Sequence, residues 1–496
     1  MTTLTRTLHA AAAWTLFPPN ERAARVQMVL AGVAAAVAVC VLGPATAFTL
    51  AIAACAVLVL VCGPSPLTLM VVLGYLAASH QYLSPVTLAF GGVVWHPREL
   101  LLLALLAHWA VKAVQGRLHF AADPIDLLII VYACFFLIAA VTGLARQADL
   151  HEVIQECRYP LFLLMYPVLA TLVTTRAQLR FYLRGLLSLT AAIAAASLAF
   201  FSYAMLTGNL VQLNQTPWGD FMRYPAGGWT LQMVRPNGHL FFEVGIVVLA
   251  SLIARPGITA RRRAGYGLVL ALLSAALVIT FMRTAYAAVA VSLFILVFLM
   301  TPGKKLQMAI ALIGCVGALA ALALYGATLS GAASSAISGM EPSLKARFIE
   351  MRGAWAAFRA HPLFGAGMGG TFRELGVVMS GPQLAATQAD YQTLHNVWMY
   401  YLFKGGAVGA VLAAVGLGGI LARGCAVLPG LHNPEDRFLL RGLVAAFAGQ
   451  LIASLAMPRL TYPIGHVFVS MMACAFLILA REARQAAAES MEQAPT

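Results

Sequence analysis

His395 and Asn396 stand where a polar stretch, residues 388–393, gives way to an apolar run, and glycines follow at 406 and 409. An imidazole titrates near neutral pH and can take a proton from a hydroxyl. At a helix start the positive end of the helix dipole favours the neutral ring, the form a base requires. The competing reading is a structural histidine. Arginines supply the second kind of chemistry. Arg283 lies in a tight turn, residues 278–286, between two apolar runs. A cation at membrane depth needs a partner or a ligand, unless it snorkels to the headgroups. Arg235 precedes Pro236, Asn237 and Gly238 just before another apolar run; the proline fixes the backbone and Gly238 allows close approach. Arg158 follows Glu152 and Glu156 without helical pairing distance. Arg347 and Arg352 lie in a predicted helix. A guanidinium grips phosphate oxygens through a planar fork and stays charged, so arginines converging on one membrane face suit a diphosphate.

The elements that position these residues are membrane helices. The chain has 496 residues, of which 61% are hydrophobic and 10% charged; a soluble domain carries about 25% charged residues. Apolar runs reach the roughly 20 residues that cross a hydrocarbon core, and the alternation of a barrel strand is absent, so the expected class is an all-α polytopic membrane protein. Runs begin near Val26, Ala45, Pro66, Glu99, Pro124, Tyr159, Gly185, His239, Ala264, Thr284, Leu306, His395, Phe438 and Gly465. About 12–14 spans are predicted, and the short run near 66–79 is either a full crossing or re-entrant. The first run, behind Arg6, Arg22 and Arg25, lacks a small-residue cleavage site and reads as a membrane helix.

The net charge of +14 reads as topology and attraction to lipid headgroups, not as nucleic-acid binding, because no soluble module interleaves basic and aromatic residues. Alternating the spans puts 19 of the 32 lysines and arginines on one side, nearly all in short loops. By the positive-inside bias that side is cytoplasmic, as are both termini. Two long connections, 207–238 and 326–394, then face outward with His395 and the five arginines. The longer one exceeds an ordinary loop and implies function.

Within that loop Ser343 is an expected N-cap. Leu344, Phe348, Met351, Trp355 and Phe358 mark an apolar helical face, Lys345, Arg352 and Arg359 recur every seven residues on another, and His361-Pro362 ends the helix. Such a helix suits the membrane interface or packs on the outer helix ends. Residues 365–370 (Gly-Ala-Gly-Met-Gly-Gly) have no preceding strand and no following Lys-Ser/Thr, so they predict a tight turn and no nucleotide loop. Glu243, one turn inside the run opened by His239, predicts structural pairing with His239 or with an arginine on a neighbouring helix. The eight cysteines form no CxxC pair and read as packing residues. No metal-ligand spacing, GxSxG or DxD pair is present.

Four stretches together resemble the O-antigen ligase/polymerase superfamily of bacterial membrane glycosyltransferases. They are Arg235-Pro236-Asn237-Gly238; Met282-Arg283-Thr284; residues 347–355 running into 361–367; and His395-Asn396 followed after nine residues by Gly406-Ala407-Val408-Gly409. The likeness covers roughly 220–425, and Met282 stands where the family often has serine. The resemblance implies a GT-C-like enzyme of the inner membrane. It would move glycan from an undecaprenyl-diphosphate carrier, at the periplasmic face, to an acceptor glycan or lipid A core, without metal or other cofactor. His395 would act on the acceptor hydroxyl. Arg235, Arg283 and Arg347, with Arg352 and Arg158, would hold the diphosphate, supported by Asn396, Gly238 and Gly406. The domains so divided are N-terminal helices 1–206, a catalytic region 207–425 and C-terminal helices with a tail, 426–496. A lipid-linked oligosaccharide flippase is the alternative; it would more often show internal repeats and charges near the bilayer midplane.

Overall fold

The structure, a computed structural model, describes residues 88–90, 93–95, 97–116, 123–207, 220–226, 229–235, 238–300, 342–380, 383–391 and 394–492. The spans expected near Val26, Ala45, Pro66 and Leu306 lie outside the described residues. The elements in order are β1 (Leu88–Phe90), β2 (Val93–Trp95), α1 (Pro97–Val114), α2 (Pro124–Ala145), α3 (Leu150–Cys157), α4 (Met165–Leu172), α5 (Arg176–Thr207), β3 (Asp220–Ala226), β4 (Trp229–Arg235), α6 (His239–Ile253), α7 (Ala260–Val278), α8 (Arg283–Leu299), α9 (Pro342–Ala360), β5 (Phe372–Ser380), β6 (Gln383–Tyr391), α10 (Val397–Val427), α11 (Pro434–Ala453) and α12 (Pro463–Glu492).

The framework is that of an all-α polytopic membrane protein. Among the described residues four segments, Pro124–Ala145, Arg176–Thr207, Val397–Gly430 and Pro463–Glu489, are long and apolar enough to cross a membrane; His239–Ile253 and Arg283–Leu299 are apolar but shorter. The run expected from Tyr159 is instead a 3-10 turn, Pro160–Leu164, followed by the eight-residue α4. Among the described residues three two-stranded antiparallel hairpins accompany the helices. β3–β4 and β5–β6 lie within the two long connections, where pairing satisfies backbone groups within the hairpin itself.

Six ion pairs fasten one end of the bundle. Asp436 at the start of α11 takes Arg176 and Arg180 of α5, each at 2.7 Å, while Glu435 takes Arg180 at 3.7 Å and Arg255 beyond α6 at 2.9 Å. Asp123, which also caps α2, takes Arg423 of α10 and Arg484 of α12. All five arginines belong to the set assigned above to one side of the membrane. The starts of α6, α8 and α10 lie at the other end.

α12 is buried along nearly its whole apolar length, whereas only about a third of the apolar length of α2, α5 and α10 is fully buried. α10 packs on α2 through an aromatic cluster in which Phe135 meets Tyr401 edge-on and Tyr132 shares a 2.8 Å hydroxyl hydrogen bond with Tyr401. With 31 residues α10 is about 46 Å long, more than the roughly 30 Å of hydrocarbon. Its charge-free stretch is 405–422, so the turns from Val397 to Lys404 extend beyond it toward His395.

Candidate active site

His395 lies just ahead of α10. Asn396 is the N-cap: its side-chain oxygen accepts from the Met399 N–H at 3.0 Å. That replaces one backbone partner missing at a helix start, so Asn396 holds the helix mouth. The Val397 N–H donates to the Ser454 carbonyl at 2.9 Å, and the Trp398 indole donates to the Leu451 carbonyl at 3.1 Å, fixing this mouth on the end of α11.

The imidazole is half exposed, and its partner is Glu350 of α9. His395 Nδ1 lies 2.9 Å from one carboxylate oxygen and 3.1 Å from the other, and the His395 backbone N–H donates to the same carboxylate at 3.2 Å. An ionised carboxylate only accepts, so this contact selects the tautomer protonated at Nδ1 and leaves the lone pair on Nε2. Glu350 is almost completely buried. The sequence reading gave it no role, although it is the only acidic residue in a basic helix.

α9 starts at Pro342, a good first helical residue because its missing N–H has no helical partner to lose; Ser343 therefore lies inside the helix and is not its cap. From Glu350 the helix runs beside α10. Glu350 meets His395, and twelve residues later on both strands the Pro362 carbonyl accepts from the Ala407 N–H at 2.8 Å. Residues 362–368 enter a break in α10. Gly406 has φ 64° and ψ −161°, which interrupts the ladder. Phe403 and Lys404 lose their helical donors, and their carbonyls accept from Ala366 and Gly367 at 2.7 and 3.0 Å. Ala407 and Val408 lose their acceptors and donate to Pro362 and Leu363 at 2.8 and 3.1 Å. Four orphaned groups are thus paired by one inserted segment. This backbone splice needs bare glycines: a Cβ on Gly406 would sit 2.4 Å from the Leu363 carbonyl, and one on Gly365 would sit 2.5 Å from the Phe403 carbonyl oxygen. The glycine-rich stretch expected as a simple turn is this insertion.

The arginines divide. Arg283 is exposed at the first position of α8, after a turn in which Phe281 adopts φ 48°. A cation beside the positive end of a helix is electrostatically unfavourable by itself, and together the two attract an anion. Arg235 ends β4, and the preceding Val234 N–H donates to the Ile279 carbonyl at 3.1 Å, which docks the hairpin on the turn that leads to Arg283. Gly238, buried, stands at the N-cap of α6. Arg347 lies one turn before Glu350 on α9, positions that share a helical face. Arg352 is exposed, and its two-residue offset turns it away from that face. Arg158 is buried and bound to Glu99 and Gln155.

The His395 and Arg283 regions are linked by the segment after α11. Ser454 holds Val397, while Met457 packs in a buried cluster with Phe242, Ala285 and Tyr286. Arg459 in the same segment reaches Glu243, which also accepts from Gln450 at 2.6 Å; the expected structural pairing of Glu243 is made with this arginine and not with His239.

No curated protein matches the chain. The model of the family described as O-antigen ligase matches residues 268–414, a shorter stretch than the 220–425 resemblance. It holds Arg283, Arg347, Glu350, Arg352, His395 and Gly406, and leaves out Arg158, Arg235 and Gly238. That segment of this multi-pass membrane protein is similar to the O-antigen ligase family.

Proposed function

We propose that the chain transfers glycan from an undecaprenyl-diphosphate carrier to an acceptor hydroxyl at the periplasmic face of the inner membrane, in the manner of an O-antigen ligase or polymerase. The carboxylate of Glu350 on His395 Nδ1 carries this reading, because it leaves Nε2 as the base. The acceptor oxygen attacks the anomeric carbon as its proton passes to Nε2. The bond from that carbon to the diphosphate oxygen breaks, and the lipid diphosphate departs as an anion. Arg283 and the start of α8, with Arg235 and Arg347, supply the charge that the leaving group needs. Arg352 and Arg158 have weaker support: one faces away from Glu350, and the other is held by Glu99.

The membrane face follows from the charge bias. The described arginines of the set read as cytoplasmic lie at the end opposite His395, which supports a periplasmic site, and on the same bias both termini are read as cytoplasmic. The acceptor is a second glycan, as in a polymerase, or lipid A core, as in a ligase. The matched region and the hairpin before α6 form the catalytic part within 207–425, between helices 1–206 and 426–496. No metal or other cofactor enters this mechanism.

A broken helix such as α10 also occurs in transporters. There the freed backbone groups meet the cargo, whereas here they are used by residues 362–368.

The test is His395→Ala, expressed at the normal level, with lipid-linked glycan and acceptor supplied in proteoliposomes. Loss of transfer with donor accumulating is expected, and transfer at the wild-type rate overturns the assignment. Arg283→Lys separates bidentate recognition from charge alone: the expected result is a raised KM for the donor, and an unchanged KM removes Arg283 from diphosphate binding.

A further inference from the structure

Nine residues after His395, Lys404 is fully buried. Its ammonium donates to both carboxylate oxygens of Glu156 in α3, at 2.6 and 2.8 Å, and to the Gly370 carbonyl at 2.8 Å. Glu156 also accepts from the Gly369 N–H at 2.9 Å. The Lys404 carbonyl itself accepts from Gly367. One residue of α10 therefore holds the inserted segment at two points, Gly367 and Gly370, where it leaves the helix break. The ion pair ties the segment to α3 as well.

We propose that Glu156 and Lys404 are positioning residues for the reaction: by clamping residues 367–370 in the break of α10, they set the register of α9 along α10 and so hold Glu350 on His395. The inference rests on the function proposed above. The equal spacing carries it. Glu350 to Pro362 and His395 to Ala407 are both twelve residues, so α9 is tied to α10 at each end of one stretch. The helix ends at Ala360, two residues before the lower tie, so a shift at that tie is passed to the upper one. Losing the upper contact removes the acceptor that holds the proton on Nδ1 and so keeps the lone pair on Nε2.

Tyr462 lies by Glu350 and Tyr159, and burial first, then those two neighbours, raises the pKa of its hydroxyl. Arg459, on the segment following α11, is engaged with Glu243. Around the clamp itself stand Glu152 and Cys157 on α3 and Tyr400 on α10.

The experiment compares the wild type, Glu350→Gln and the double variant Glu156→Gln/Lys404→Met, in which no lone buried charge remains. The rate of diethyl pyrocarbonate modification at His395, at one fixed pH, is read by peptide mass mapping, beside the rate of transfer. The double variant is expected to lower the His395 modification rate several-fold, as Glu350→Gln does, because the acceptor that keeps the lone pair on Nε2 is lost. Adding Glu350→Gln to it is expected to cost no further activity. A double variant with the wild-type His395 modification rate, or with a loss that adds to that of Glu350→Gln, overturns the proposal. If the double variant does not accumulate in the membrane, Glu156→Gln alone is read in the same way: a lowered rate supports the proposal and an unchanged rate overturns it. The modification rate does not require His395 to be catalytic, so a His395→Ala variant that still transfers glycan refutes the catalytic reading and leaves this measurement interpretable.

Discussion

Replacing Gly406 by alanine tests the backbone splice where its cost can be worked out. The residue has φ 64° and ψ −161°, a region open essentially to glycine alone. An L side chain there costs about 1–3 kcal/mol. The new Cβ would also lie 2.4 Å from the Leu363 carbonyl and 2.5 Å from the Phe364 nitrogen. Both are backbone atoms that cannot rotate aside, so the inserted segment must withdraw. Four hydrogen bonds of 2.7–3.1 Å are then at stake, each worth about 1 kcal/mol net. A total near 3–5 kcal/mol results if half of those bonds are lost. Gly418→Ala is the control, because its Cβ would meet nothing within 4 Å on the same helix; alanine there is expected to be neutral or slightly stabilising. Thermal unfolding of the detergent-purified proteins, limited proteolysis across 361–371 and the transfer assay should all separate the two variants. Gly406→Ala should melt well below wild type, be cut in the released segment and lose transfer. If it melts with Gly418→Ala and its segment stays protected, the splice is not what Gly406 is for.

Two other buried sites give further predictions. Arg158→Ala removes the buried cation that pairs with Glu99 and should destabilise the protein by about 3–5 kcal/mol; Arg158→Met combined with Glu99→Gln should recover most of that loss in the same melting assay. Burial and then Glu156 push the Cys157 thiol above its ordinary pKa, with Lys404 opposing. The thiolate is the reactive form, so iodoacetamide should label Cys157 slowly at mildly alkaline pH. Glu156→Gln removes a raising influence and should speed labelling several-fold; an unchanged rate would mean that Glu156 is not charged beside it.

The helix break bears on how the long outer connection is understood. A helix at the interface was expected there, with an amphipathic face and a following turn. The helix is present as α9, yet its descent beside α10 and the use of residues 362–368 as substitute backbone partners have no signature in hydropathy. Backbone groups are the same in every residue, so only the glycines at 365, 367 and 406 hinted that two chains approach closely. Arg158 shows the opposite difficulty: its composition and side of the membrane matched the other arginines, but Glu99, 59 residues earlier, takes its charge.

Hydropathy and charge by themselves determined the membrane class, because about 20 apolar residues have few other stable environments and loop charges sort by side. Local spacing likewise singled out His395, Asn396 and the glycine at 406, since they follow one another at fixed intervals within one stretch. Tertiary structure alone decided the partners. Glu350 reaches His395 across 45 residues, and Lys404 reaches Glu156 across 248. Such pairs follow from how helices pack and from where a buried charge finds its counter-ion, which no periodicity within one segment records.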